Sequence, residues 1–175
     1  MGNSIVVLSG SPRKGANSDT LVSAFVEGAE SAGKSVVVFR TADMDIGGCL
    51  GCGHCIDEPG VCVQKDDMTQ ILDAIKASDT FVLASPVYFW GVTAQLKMAI
   101  DRTYALLRTK TTIKRAAMLL TCGSRAGVAP QMFETMCERS GWENAGIIVE
   151  AGLREPDAIK GRDVLEKARA LGREI

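Results

Sequence analysis

The chain has 175 residues, 46% of them hydrophobic, which suits one domain with a sizeable core and leaves little room for a second. Twenty Lys and Arg stand against 21 Asp and Glu, with 5% aromatic residues and no long basic run, which argues against nucleic acid as a main partner. No window approaches the roughly 20 apolar residues that span a bilayer, and "MGNSIVVLSG" lacks the flank and length of a signal peptide, so no membrane partner and a cytoplasmic setting are expected. Gly2 is not expected to be myristoylated either, because apolar Val6 stands where that signal needs Ser or Thr.

Apolar runs and helical patterns then alternate along the chain. "IVVL" leads into a helix with Leu21, Ala24, Phe25, Gly28, Ala29 and Ala32 on one side, and "SVVVF" (35–39) reads as a second buried strand. After a cysteine-rich loop, Met68, Ile71, Leu72 and Ile75 recur at helical spacing, with Asp66 and Asp67 suited to the positive start of that helix. "TFVLASP" (80–86) is the third strand and "TAQLKMAIDRTYALL" (93–107) the third helix. "AAMLLTC" (116–122) and "AGIIVEA" (145–151) are strands four and five, with a helix near Pro130 to Arg139 between them and a last one from about Asp157 to Arg173. Continuously apolar strands separated by helices predict a parallel sheet covered on both faces, with right-handed crossovers. The expected fold class is α/β: a flavodoxin-like three-layer sandwich over residues 1–175, whose five-stranded parallel sheet has the order 2-1-3-4-5, with a ligand at the switch point between strands one and three.

The loop after the first strand, "LSGSPRKGANSDT", sits at that switch point. It is not a Walker A loop, because Ala16 and Asn17 follow Gly15 where Lys and Ser/Thr belong. Nor is it a dinucleotide fingerprint, since Pro12 replaces the second glycine. What remains is a set of hydroxyl and amide donors, Ser9, Ser11, Asn17, Ser18 and Thr20, with Arg13 and Lys14, and Asn17 or Ser18 is expected to cap the helix. Such a loop suits one phosphate monoester; it would equally make a plain polar turn.

The third strand bears on that choice. It ends in "SPVYFWG", putting Pro86, Val87, Tyr88, Phe89, Trp90 and Gly91 at the same edge, where aromatic rings and a glycine suit a planar heterocycle. The loop "TCGSRAG" after strand four, with Cys122 and Gly123, is placed to line the other edge of the ring. Phosphate and planar ring together describe a mononucleotide, and in this fold the expectation is FMN.

"GSPRKGANS", "SPVYFWGVTAQLKMAIDR" and the order of elements resemble the NADPH-dependent FMN reductase and iron–sulfur flavoprotein group of flavodoxin-like proteins, over nearly the whole chain. The resemblance implies that Ser11, Arg13, Asn17 and Ser18 surround the FMN phosphate and that Pro86 to Gly91 lie along the isoalloxazine. It also implies NAD(P)H as hydride donor, a homodimer or homotetramer, and a ferredoxin-like electron carrier as external partner if a cluster is present.

The cysteine loop, "GGCLGCGHCIDEPGVCVQK" (47–65), holds Cys49, Cys52, Cys55 and Cys62 as C-x2-C-x2-C-x6-C. In a reducing compartment such crowding points to metal or redox chemistry rather than disulfides. Consecutive x2 intervals are closer to iron–sulfur spacing than to paired zinc knuckles, and the glycines allow the chain to wrap a cuboid. Iron–sulfur flavoproteins hold a [4Fe–4S] cluster on a similar motif, yet relatives with a similar segment also occur without one. A cluster, zinc, a dithiol pair and no cofactor at all therefore stay open. His54 reads as an exposed loop residue, Cys137 as core, and Lys97, Asp101 and Arg102 as a solvated helix face or subunit contact.

The reading is an FMN oxidoreductase with no side chain needed as acid or base: the backbone N–H groups of 88–91 and 122–124 would stabilise the reduced ring. Its rivals are a cluster-free flavin-dependent quinone or nitroaromatic reductase and a non-enzymatic thiol or metal redox sensor.

Overall fold

Five strands pair side by side in the order β2-β1-β3-β4-β5, all parallel, in the computed structural model, which describes residues 4–175. They are β1 (Ser4–Ser9), β2 (Ser35–Arg40), β3 (Thr80–Pro86), β4 (Arg115–Thr121) and β5 (Glu143–Glu150). The helices are α1 (Asn17–Ser31), the single turn α2 (His54–Asp57), α3 (Met68–Ala77), α4 (Ala94–Arg102), α5 (Ala129–Ser140) and α6 (Val164–Glu174). The expected flavodoxin-like architecture and strand order are therefore present; the reading of Gly2 lies outside the described residues.

Strand alternation divides the core into two layers. Val6, Leu8, Phe81, Leu83, Met118 and Leu120 face one way, onto the apolar sides of α3, α4 and α5. Ile5, Val7, Val82, Ala84, Ala117 and Leu119 face the other way, onto α1 and α6. The central strands β1, β3 and β4 are thus buried on both faces, as continuous apolar runs require. β2 takes the edge position that the expected order gives it, but it is not the buried strand its apolar run suggested: with a neighbour on one side only, it leaves Val37 and Val38 40% and 39% exposed.

Two helices also depart from the pattern. The third helix stops being α-helical at Arg102 and continues as a 3-10 turn, Thr103–Leu106. The last begins at Val164 rather than near Asp157, because Asp157 and Gly161 adopt positive φ (64° and 75°) and turn the chain before the helix starts.

α1 and α6 cross at glycines. A Cβ on Gly28 would lie 2.0 Å from the Arg169 carbonyl oxygen, and one on Gly172 would lie 2.2 Å from that of Phe25. Neither backbone can yield without separating the helices. Gly28→Ala is expected to destabilise the fold by about 1–3 kcal/mol, read as a lower denaturant midpoint with unchanged slope.

Candidate functional site

β1 ends against α4. The Gly10 amide donates to the Ala84 carbonyl at 2.8 Å, and the Gly10 carbonyl accepts from Thr93 Oγ1 at 2.7 Å. Thr93 is fully buried; its hydroxyl also caps α4 by accepting from the Leu96 amide at 3.3 Å, and its own amide donates to Ser85 Oγ at 3.1 Å. One threonine thus ties the first loop to the segment that follows the third strand. A Thr just before an apolar helical run is an N-cap signal, so the capping role was visible in the sequence; the bond to Gly10 was not.

Beyond Gly10 the chain folds into a cavity of about 90 Å³, lined by Ser11, Arg13, Asn17, Ser18, Pro86, Val87, Tyr88, Thr121, Cys122, Gly123 and Leu153 among others. Nine of the thirteen residues singled out as cofactor-binding from sequence meet here. Ser9 does not: it is buried at the end of β1 and lines a groove with Val22, Val38 and Arg40 on the α1 side, its Oγ without a hydrogen-bond partner among the described residues. Phe89, Trp90 and Gly91 also lie outside the cavity, on a turn at its rim.

The first turn of α1 carries no side-chain cap. Asn17 does not cap it, because its side chain bridges to the connection before α6, donating to the Glu155 carbonyl at 2.9 Å and accepting from the Ile159 amide at 3.1 Å. Ser18 does not cap it either: its hydroxyl pairs with Thr121 Oγ1 at 2.6 Å across the buried floor. The positive end of the helix is left facing the cavity, which suits an anion. Ser11 shapes the loop, its Oγ lying 3.3 Å from the Arg13 amide. Lys14 is paired with Asp43 at 3.2 Å, whereas Arg13 is exposed and makes no ion pair among the described residues. Of the two cations of this loop, Arg13 is therefore the one available to a ligand.

Phe89 and Trp90 occupy the two central positions of a tight turn closed by reciprocal bonds between Tyr88 and Gly91, at 3.0 and 3.1 Å. Both have positive φ, 47° and 66°, as a type I′ turn demands, at a steric cost of roughly 1–2 kcal/mol for each bulky L residue. Anchors at both ends hold it: the Val87 amide donates to Thr121, and the Val128 amide to the Trp90 carbonyl, each at 2.8 Å. Gly127 makes the second contact feasible, since a Cβ there would meet that carbonyl oxygen at 2.0 Å. The turn leaves Phe89 92% and Trp90 62% exposed, with their rings against each other.

These bonds limit which amides can serve a ligand. Those of Tyr88 and Gly91 are spent on each other, and that of Cys122 donates to the Glu150 carbonyl at 2.9 Å. Of the amides expected to face the ring, those of Phe89, Trp90 and Gly123 have no hydrogen-bond acceptor among the described residues, and that of Ser124 faces the Cys122 thiol. Burial pushes the Cys122 thiol up, a contact from the Ser124 amide opposes it, and Cys137 in the core is pushed up to about 11, so neither is a ready nucleophile.

The cysteine loop forms a second cavity, of about 270 Å³, lined by Cys49, Cys52, Cys55 and Cys62 together with Tyr104 and Arg102. All six cysteines are free thiols. Among the described residues no three His, Cys, Asp or Glu side chains come close enough to share one metal ion. Gly51 and Gly53 take positive φ, 62° and 77°, where the loop reverses. His54 stands at the start of α2, 3.9 Å from Glu58.

Arg102 is not on a solvated face. It is 2% exposed, and its guanidinium grips Asp66 with two bonds, at 2.8 and 2.9 Å, and donates to the Gly47 carbonyl at 2.9 Å. Asp66 in turn accepts from the amides of Gly47 and Met68, at 3.0 and 3.1 Å, so this carboxylate joins the two ends of the cysteine loop. Helical spacing put Arg102 beside exposed Lys97 and Asp101, which do pair at 2.6 Å in solvent. What it could not show was the loop folding back over the end of α4. The hydrogen bonds from Arg102, opposed by burial and helped by the two amides, hold the Asp66 carboxyl below its usual range.

A group whose folded pKa is depressed stabilises the fold above its unfolded pKa and loses that stabilisation as pH falls through the folded value. Asp66→Asn is expected to cost about 3 kcal/mol near neutrality. In parallel melting curves the gap between wild type and variant should hold at pH 5–8 and close only below about pH 4.

Comparisons with known proteins agree with this geometry. Residues 3–136 match the family model described as NADPH-dependent FMN reductase. An iron–sulfur flavoprotein from Archaeoglobus fulgidus is 42% identical over 53% of this chain and 42% of its own length. One from Methanosarcina thermophila is 36% identical over 70% of this chain and 65% of its own. The chain thus spans roughly half of the length of these curated relatives. An NAD(P)H:quinone oxidoreductase from Methanothermobacter marburgensis shares the fold, with a TM-score of 0.75 at 22% identity over 99% of this chain and 96% of that one. With its sheet order, its loops and a family match across most of its length, the chain belongs to the NADPH-dependent FMN reductase family.

Proposed function

We propose that the protein is an FMN-dependent oxidoreductase that takes hydride from NAD(P)H and hands electrons on through a [4Fe–4S] cluster held by the cysteine loop. The observation that carries the flavin reading is the single cavity in which Ser11, Arg13 and the uncapped start of α1 meet Pro86, Val87, Tyr88 and Gly123. The cavity, of about 90 Å³, fits a phosphate monoester, and a flat ring attached to it would lie along its rim. Arg13 and the free helix end would hold the phosphate, Ser11 would keep the loop in register, and Ser18 with Thr121 would form its floor. Pro86 to Tyr88 would lie along the ring, with the turn at Phe89 and Trp90 as its outer wall. The amides of Phe89, Trp90 and Gly123 are the donors still free to face negative charge on the ring. FMN, when bound, supplies the hydride acceptance and the conversion between paired and single electrons.

The cysteine cavity supports the cluster in the same way. Four cysteines lining one cavity of about 270 Å³, three of them at consecutive x2 intervals, suit an iron–sulfur group better than the paired knuckles of a zinc site. Cys49, Cys52, Cys55 and Cys62 would be its ligands. No helix among the described residues is long and apolar enough to cross a membrane. A cytoplasmic setting, one functional domain, a homodimer or homotetramer and a ferredoxin-like acceptor complete the proposal.

The deciding test is the absorption spectrum of protein purified without oxygen, before and after dithionite, with iron and acid-labile sulfide assayed on the same sample. Flavin bands over a broad iron–sulfur absorption, both bleaching, are expected. Flavin without iron would make it a cluster-free reductase, of the quinone or nitroaromatic kind, and thiol chemistry without flavin would make it a sensor. Arg13→Ala should weaken FMN binding by about tenfold or more, the value of one hydrogen bond to a charged group, in fluorescence titrations. Replacing Cys49 and Cys52 with Ser should abolish iron content and leave FMN content intact.

A further inference from the structure

Among the described residues Arg102 is the one buried arginine, its side chain 1% exposed, and it stands on the wall of the four-cysteine cavity. Its Nη atoms are committed to Gly47 and Asp66, the entry and exit of the cysteine loop, whereas its buried Nε has no hydrogen-bond partner among the described residues. Cys62 adjoins the guanidinium. A buried donor left without an acceptor is costly, and a fixed cation beside several thiols has an evident counterpart in an anionic group.

We infer that Arg102 is a positioning residue of the cysteine site: it preassembles the four thiols by pinning both ends of their loop to α4, and it sets a fixed positive charge against the thiolate-ligated group that the cavity holds. This rests on the cluster reading proposed above. A cluster ligated by four thiolates is an anion, and its negative charge grows when it is reduced. A buried cation at the cavity wall stabilises the reduced form more than the oxidised one, and so raises the reduction potential. Asp66, which neutralises part of that charge, belongs to the same device, because its carboxylate also fixes where the guanidinium sits.

The two halves of the assignment separate by experiment. In protein freed of iron, hydrogen exchange at the Gly47 and Met68 amides reports the loop ends without any cluster present. Arg102→Gln is expected to speed it by about tenfold or more, the loss of a charge-assisted hydrogen bond. Arg102→Lys keeps the charge and loses the fork, so it should loosen the loop as well. After anaerobic reconstitution with iron and sulfide, the cluster in Arg102→Gln should have a lower midpoint potential than wild type, and Arg102→Lys should stay near wild type. FMN content, equal in all three proteins, reports that the fold is intact. Wild-type exchange and wild-type potential in Arg102→Gln would overturn the assignment, and faster exchange with an unchanged potential would reduce Arg102 to a brace and overturn its charge role. A wild-type protein that takes up no iron, while the variants still loosen the loop, would instead overturn the cluster reading and leave the pinning supported.

Discussion

The first loop and the third strand can share a ligand only because β1 meets α4 without a side chain between them. A Cβ on Gly10 would stand 2.5 Å from Leu96 Cβ and 2.6 Å from Thr93 Oγ1, inside any permitted contact. With hydrogen in its place, the Thr93 hydroxyl reaches the Gly10 carbonyl while still capping its own helix. The phosphate-type loop is thereby fixed to the start of α4, and the aromatic turn is fixed to the same point through Ser85 and β3. At the other end of α4, nine residues on, Arg102 holds the cysteine loop. A short rigid helix thus connects both candidate sites, and the fully buried threonine at its start sets its position.

The two sites recruit charge in opposite ways. At the first cavity the protein offers an exposed cation, Arg13, together with backbone N–H groups and a helix end, none of them buried as a full charge. An anion bound there would be met without a standing desolvation cost. At the cysteine cavity the cation is already desolvated. Burial alone would lower the Arg102 pKa, yet the paired Asp66 carboxylate, with Cys62 nearby, outweighs it and the pKa stands above its usual value. Such an ion pair contributes little net stability over apolar packing, but removing one partner leaves the other exposed to the full penalty.

The architecture was legible because apolar runs and helical spacing report burial directly. Strands β1, β3 and β4, the helix faces of α1, α3 and α5, and the convergence of Ser11, Arg13, Ser18, Pro86 and Cys122 all follow from periodicity and from the switch-point rule. β2 was misread as buried because an apolar run records β propensity as well as coverage, and Val37 and Val38 satisfy the first without the second. The start of α6 was misplaced because Asp157 carries no sign in sequence of its left-handed backbone. Asn17 was taken for a cap, and its real partners, Glu155 and Ile159, lie more than a hundred residues away in sequence. Arg102 was hidden for the same reason: its partners at 47 and 66 are tertiary, and no local pattern distinguishes an inward arginine from an outward one.

The cysteine loop leaves and rejoins the fold through a narrow neck. The Asp67 amide donates to the Asp45 carbonyl at 3.0 Å, and the Asp45 amide donates to the Asp67 carboxylate at 2.8 Å, just outside the bonds from Gly47 and Arg102 to Asp66. Between those contacts the segment is tied back once more, the Gly60 amide donating to the Ala105 carbonyl at 2.8 Å with Cys55 and Cys62 packed against the core, and the register of the sheet does not pass through it. The closure entropy of such an insert rises only by about 0.6 kcal/mol for each doubling of its length. A change of length between the neck and the tie at Gly60 therefore costs little closure entropy and leaves the cavity at the sheet's switch point undisturbed.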